Sequence, residues 1–67
     1  MEYFVHRRAQ DNGDHEVHAS TCSFLPSIQE RIYLGDFIEC ALAVREARKH
    51  FKQVNGCYYC AVPCHTG

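Results

Sequence analysis

Asp36-Phe37-Ile38-Glu39-Cys40-Ala41-Leu42-Ala43-Val44-Arg45-Glu46-Ala47-Arg48-Lys49-His50-Phe51-Lys52 reads as one amphipathic helix. Phe37, Cys40, Ala41, Val44, Ala47 and Phe51 recur at the three- and four-residue spacing that places side chains on one helical face. Asp36 is positioned to cap the first turn, with Glu39 three residues on, and Arg48, Lys49 and Lys52 put positive charge at the negative end of the helix dipole. Asn55-Gly56 then stops the helix. A helix with a single apolar stripe needs a second layer to bury it, so its partner has to come from upstream.

Residues 3–9 and 15–20 are short runs containing aromatic or β-branched side chains, separated by Asp11-Asn12-Gly13-Asp14. Asn-Gly supplies the positive φ angles of a tight turn, which makes the two runs a β-hairpin. Leu25-Pro26-Ser27 interrupts the chain, and Arg31-Ile32-Tyr33-Leu34 before Gly35 suits a third short strand or an extended connection. The predicted class is therefore α+β. An N-terminal β-hairpin, with or without the third strand, packs on one C-terminal helix, and a cysteine-rich loop or knuckle follows.

At 67 residues the chain makes one domain over residues 1–67, of a size that buries too little apolar surface to be stable without a disulfide, a metal or a partner. Hydrophobic residues make up 46% of it, with four Tyr and four Phe, which favours a packed fold over disorder. A formal net charge of -1 gives no overall field to draw in nucleic acid or an anionic membrane. The opening Met1-Glu2-Tyr3-Phe4-Val5-His6-Arg7-Arg8 lacks the apolar run of a signal peptide, and no later stretch is long enough to span a bilayer, so the expected location is the cytoplasm. Five cysteines, an odd number, in such a reducing compartment point to metal ligands, reactive thiols or buried core residues rather than to a disulfide framework.

The chemistry gathers at the two ends. Cys57-Tyr58-Tyr59-Cys60-Ala61-Val62-Pro63-Cys64-His65 is a C-x2-C-x3-C-H cluster, and two cysteines two residues apart can wrap a turn so that both thiolates reach one ion. Upstream, His15-Glu16-Val17-His18-Ala19-Ser20-Thr21-Cys22 repeats the same spacing as H-x2-H-x3-C. A closed structural zinc site takes four ligands, and adjacent Cys64 and His65 are poorly placed to complete a tetrahedron already holding Cys57 and Cys60. One local site on the C-terminal loop would also leave hairpin and helix unstapled. The predicted site bridges the two ends, with Cys22 as first choice and His18 as second facing Cys57 and Cys60, and with Cys64 or His65 inheriting the role should Cys22 point elsewhere. Residues four apart on a continuous strand stand about 13 Å apart, so joint ligation by His18 and Cys22 requires a bend at Ser20-Thr21. His6 and His50 read as solvated side chains, and Cys40, on the apolar stripe, as core.

Taken together, Glu16-Val17-His18-x3-Cys22-x2-Leu25-Pro26, Tyr33-Leu34-Gly35-x-Phe37-x2-Cys40-x3-Val44-x2-Ala47 and Gly56-Cys57-x2-Cys60-x3-Cys64-His65-Thr66 resemble a family of small Cys/His-rich bacterial proteins of unassigned function, over nearly the whole chain. The same order is distantly similar to the zinc-binding, DNA-methylphosphotriester-repair domain of the Ada type, in which a C-x3-C pair precedes a helix and a C-x2-C pair follows it. That resemblance implies His18 and Cys22 as the first pair and Cys57 and Cys60 as the second. The first cysteine of the family's first pair accepts the methyl group. Here the position holds His18, a poor alkyl acceptor, so the resemblance implies a retained metal fold without the repair chemistry.

No Ser/His/Asp triad, paired catalytic carboxylates or phosphate-cradling glycine loop can be assembled, and no small-molecule substrate is indicated. The functional expectation is a small non-enzymatic domain holding structural zinc and offering an interaction surface to a protein or, secondarily, to nucleic acid. The alternatives are a thiol-based redox or metal-responsive protein and an Ada-type alkyl acceptor or DNA-binding relative. An iron–sulfur cluster on Cys57, Cys60 and Cys64, with Cys22 as fourth ligand, is the competing cofactor. The oligomeric state is not legible.

Overall fold

The architecture comes from a computed structural model that describes residues 1–66. Strand β1 (Glu2–His6) pairs antiparallel with β2 (His15–Ala19), with Tyr3 opposite Ala19, Phe4 opposite His18 and Val5 opposite Val17. Strand β3 (Arg31–Asp36) lies antiparallel on the other side of β1. Helix α1 (Cys40–Ala47) then carries the chain across the sheet to β4 (Val54–Gly56), which pairs parallel with β2. The result is an α+β fold, a four-stranded mixed sheet in the order β3-β1-β2-β4 with one helix.

Side chains alternate across a strand, and that alternation divides the sheet. Tyr3, Val5, Val17, Ala19 and Leu34 are buried and form one cluster with Cys40, Ala43, Val44 and Ala47 of α1. Cys40, Ala43, Val44 and Ala47 supply the helix stripe because three- and four-residue steps return to the same face. Phe4, at the intervening position of β1, pairs instead with Tyr33 of β3 at a ring-centroid distance of 5.4 Å, and the Arg31 guanidinium sits 4.7 Å from the Phe4 centroid. His18, opposite Phe4, belongs by the same alternation to this second face.

The hairpin and third strand form as the sequence suggests, but three details differ. The helix is much shorter than residues 36–52. Asp36 is not its cap: it ends β3 opposite Glu2, and its carboxylate takes the Met1 amino group at 2.8 Å. Sheet pairing outcompetes the capping box here, because Gly35 at φ 134° lets the strand run on past Leu34. Glu39, the residue before α1, makes no side-chain capping bond. Residues 48–50 continue as turns, with Arg48 N–H donating to Val44 O and His50 N–H to Ala47 O.

The second difference is that Asn55-Gly56, read as a helix stop, lies in β4. Third, the link between β1 and β2 is longer than a two-residue hairpin turn. Gln10 N–H donates to the Asp14 carbonyl, Gly13 N–H to the Gln10 carbonyl and Asp14 N–H to Asn12 Oδ1, and among the described residues only Gly13 and Gly35 have positive φ. Asn12 thus acts through its side-chain oxygen and not through a left-handed backbone. No helix among the described residues is long and apolar enough to cross a membrane.

Candidate metal centre

Four side chains from three parts of the chain meet at one end of the sheet. His18 comes from β2, Cys22 from the turn after it, and Cys57 and Cys60 from the loop after β4. One ligand atom from each lies within 4.8 Å of all the others. Cys22 Sγ and Cys57 Sγ are 3.8 Å apart, which is the edge of a tetrahedron with metal–sulfur arms of about 2.3 Å.

Local backbone geometry explains how they converge. Strand β2 ends at Ala19, whose carbonyl accepts from Cys22 N–H at 3.0 Å, so the chain bends at Ser20-Thr21 and folds Cys22 back toward His18. The register of β4 on β2 ends with Gly56 opposite Val17, and Cys57 N–H extends the ladder to the Val17 carbonyl at 2.9 Å. Cys57 therefore arrives beside His18 as a continuation of the sheet. Ala61 N–H donates to the Cys57 carbonyl at 2.9 Å, closing the turn that brings Cys60 round.

Each sulfur also receives a backbone N–H. Phe24 donates to Cys22 Sγ and Tyr59 to Cys57 Sγ, both at 3.4 Å and both from the second residue after the cysteine, while Ala19 donates to Cys60 Sγ at 3.3 Å. Such bonds fix how each sulfur is oriented toward the group. His18 is the opposite case. It is 1% exposed, and neither Nδ1 nor Nε2 has a hydrogen-bond partner among the described residues. A buried imidazole with both nitrogens unmet costs free energy unless something occupies one of them. Glu16 Oε1, 3.7 Å from Nε2, is too far for a hydrogen bond and leaves that nitrogen unmet.

Electrostatics agree with the geometry. Burial, reinforced by nearby His6, pulls His18 down to about 4, which keeps the ring neutral and able to donate a lone pair to a metal at neutral pH. Burial pushes the Cys60 thiol up to about 12; the Ala19 N–H works against that rise, and the Cys22 and Cys57 thiols add to it. Three sulfurs so close resist becoming anions together, and a divalent cation among them removes that resistance. The group can hold one metal ion, and the three sulfurs and one imidazole suit zinc or another borderline-soft ion.

Cys64 and His65 are not drawn into this group. Cys64 forms a disulfide with Cys40, so its sulfur has no thiolate to offer, and with Cys22 facing Cys57 the fallback role given to Cys64 or His65 is not called on. The two residues meet because the turn Val62–Cys64 folds the tail against the start of α1. Cys40 is buried in the core, as its place on the stripe implies, but it is bonded there and not a free thiol. Sequence reading missed this pair, for which the odd cysteine count was no guide. Nδ1 of His65 lies 2.9 Å from the Gly56 carbonyl, which anchors the ring to β4.

What the fold and site define is a small α+β protein with a Cys3His group able to hold a metal. Comparison with protein-family models, with curated proteins and with solved structures finds no match.

Proposed function

We propose that this chain is a small non-enzymatic zinc-binding domain, in which the ion is structural and the folded surface serves as an interaction module. The observation that carries the reading is the buried His18 ring, with both nitrogens unmet, beside three sulfurs that each already accept a backbone N–H. Two of the three ligating cysteines and the histidine lie on opposite sides of α1 in sequence, so an ion on them ties the tail to the hairpin. That is the staple a domain of this size needs.

A mononuclear zinc is favoured over an iron–sulfur cluster because the four ligand atoms lie close enough to share one ion, whereas a cluster holds its ligands farther apart. His18, standing where the Ada-type domain has its alkyl-accepting cysteine, argues for a structural role and against methyl transfer. The partner is read as a protein first and nucleic acid second, since the net charge of -1 supplies no general attraction for phosphate. The cytoplasm is the proposed location.

Elemental analysis of protein purified without added metal tests the reading. One zinc per chain in the wild type, falling to a small fraction in Cys57→Ser while His50→Ala keeps it, supports the proposal. Equal zinc in all three, or none in the wild type, contradicts it.

A further inference from the structure

The disulfide and the metal group share a wall. Cys40, Cys64 and Cys60 all line one open cleft of about 410 Å³, together with Tyr3, Glu39 and Pro63. The chain between ligand and disulfide is two successive hydrogen-bonded turns: Ala61 N–H on the Cys57 carbonyl, then Cys64 N–H on the Ala61 carbonyl, both at 2.9 Å. The contact returns directly to the other ligand as well. A Cβ at Gly56, the residue before Cys57, would stand 2.7 Å from Cys64 Cβ and 2.8 Å from the Ala61 carbonyl oxygen, so the half-cystine packs on the backbone that presents Cys57.

We infer that the Cys40–Cys64 disulfide is a redox-addressable clasp on the metal centre, and that a dithiol reductant loosens zinc by opening it. The inference rests on the zinc reading above and adds its regulation. In the step, the Cys40–Cys64 bond breaks and the two sulfurs of the dithiol join to each other. Two electrons and two protons pass to the chain, leaving Cys40 and Cys64 as thiols. Cys40 and Cys64 both line the cleft, which is the route proposed for the reductant. A disulfide in a reducing compartment is characteristically transient or redox-sensing, which reconciles this bond with the cytoplasmic location proposed.

The physical effect is loss of preorganisation. With the clasp closed, the turns carrying Cys57 and Cys60 are held against α1; with it open, the ion must order them itself. Loss is partial, because Asn55 still holds the tail through Thr66, Nδ2 donating to the Thr66 carbonyl at 2.7 Å and Oδ1 accepting from Thr66 N–H at 2.9 Å. The expected change is about tenfold in zinc affinity, the scale on which groups that support a ligand act.

The test is a competition titration with a chromophoric zinc chelator on three samples of the full chain: oxidised, dithiol-reduced and desalted without oxygen, and Cys40→Ser/Cys64→Ser. Tenfold or greater weakening in the second and third supports the clasp. A wild-type measurement guards against misfolding of the variant. Linkage is reciprocal, so zinc must make the disulfide harder to reduce by the same factor, about 30 mV per tenfold for a two-electron couple, read by alkylation and mass spectrometry of Cys40 and Cys64. Zinc bound equally by oxidised and reduced chains, with no shift in potential, overturns the clasp and leaves the zinc site standing. Failure of the oxidised chain to bind zinc overturns the zinc reading itself.

Discussion

At the scale of single residues, His18 carries the most information. An imidazole at 1% exposure with no hydrogen-bond partner among the described residues is an energetic liability in the metal-free chain, and under the proposed function it becomes a ligand in the loaded one. Its pH dependence follows. The unfolded ring protonates near 6.5, whereas burial in the folded chain lowers this to about 4. Between those values the unfolded state binds the extra proton, so stability is full above pH 6.5 and falls as pH drops toward 4. For the metal-free chain with its disulfide intact, the loss from this group is on the order of 3 kcal/mol. Urea denaturation of wild type and His18→Gln at pH 7 and pH 4 isolates it, because the carboxylates titrate in both. The wild type should lose more than the variant by about that amount, and parallel losses would show that His18 is not buried neutral.

His18 was also the residue whose role sequence left most open. H-x2-H-x3-C marks two histidines equally, and spacing cannot say that His15 stacks on Phe51, at a centroid distance of 3.6 Å, while His18 turns to the sulfurs. The Cys57/Cys60 pair was legible, because C-x2-C has a local geometric meaning. Cys64 was not, because whether a cysteine ligates or pairs depends on a contact with Cys40 24 residues away.

At the scale of elements, local signals were reliable where the element is local and failed where pairing across the chain decides. The β1–β2 hairpin follows from its own strand residues. Strand β4 does not: Val54-Asn55-Gly56 is strand only because β2 offers an unpaired edge, and Asn-Gly alone argues for a turn. The same competition shortened α1, since Asp36 went to the sheet and left Cys40 to begin the helix. Gly56 shows how tightly β4 and the tail are fitted. A methyl there meets Cys64 Cβ and the Ala61 carbonyl below 3 Å, and backbone on one side leaves little room to yield. Gly56→Ala should cost about 1–3 kcal/mol by overpacking, visible as a lower urea midpoint at unchanged slope. An unchanged midpoint would mean that the tail is not seated on β4 as described.

At the scale of the whole molecule, the sheet and α1 share one small core of mostly Val and Ala side chains, which is too little to make the fold robust by itself. A ligand that binds only the folded chain, present at about 1,000 times its dissociation constant, adds about 4 kcal/mol. In a domain of this length that corresponds to roughly 15 °C or more in melting temperature. Chelation should therefore lower the Tm by at least that much, and re-addition of zinc should restore it. A Tm indifferent to chelator would reduce the metal to a passenger.

Zinc K-edge X-ray absorption on protein purified without added metal reads the centre itself. Three sulfurs near 2.3 Å and one nitrogen near 2.0–2.1 Å are expected, as Cys22, Cys57, Cys60 and His18 together require. A first shell of four sulfurs, or one of nitrogen and oxygen alone, would contradict the assignment of these four residues as the ligands.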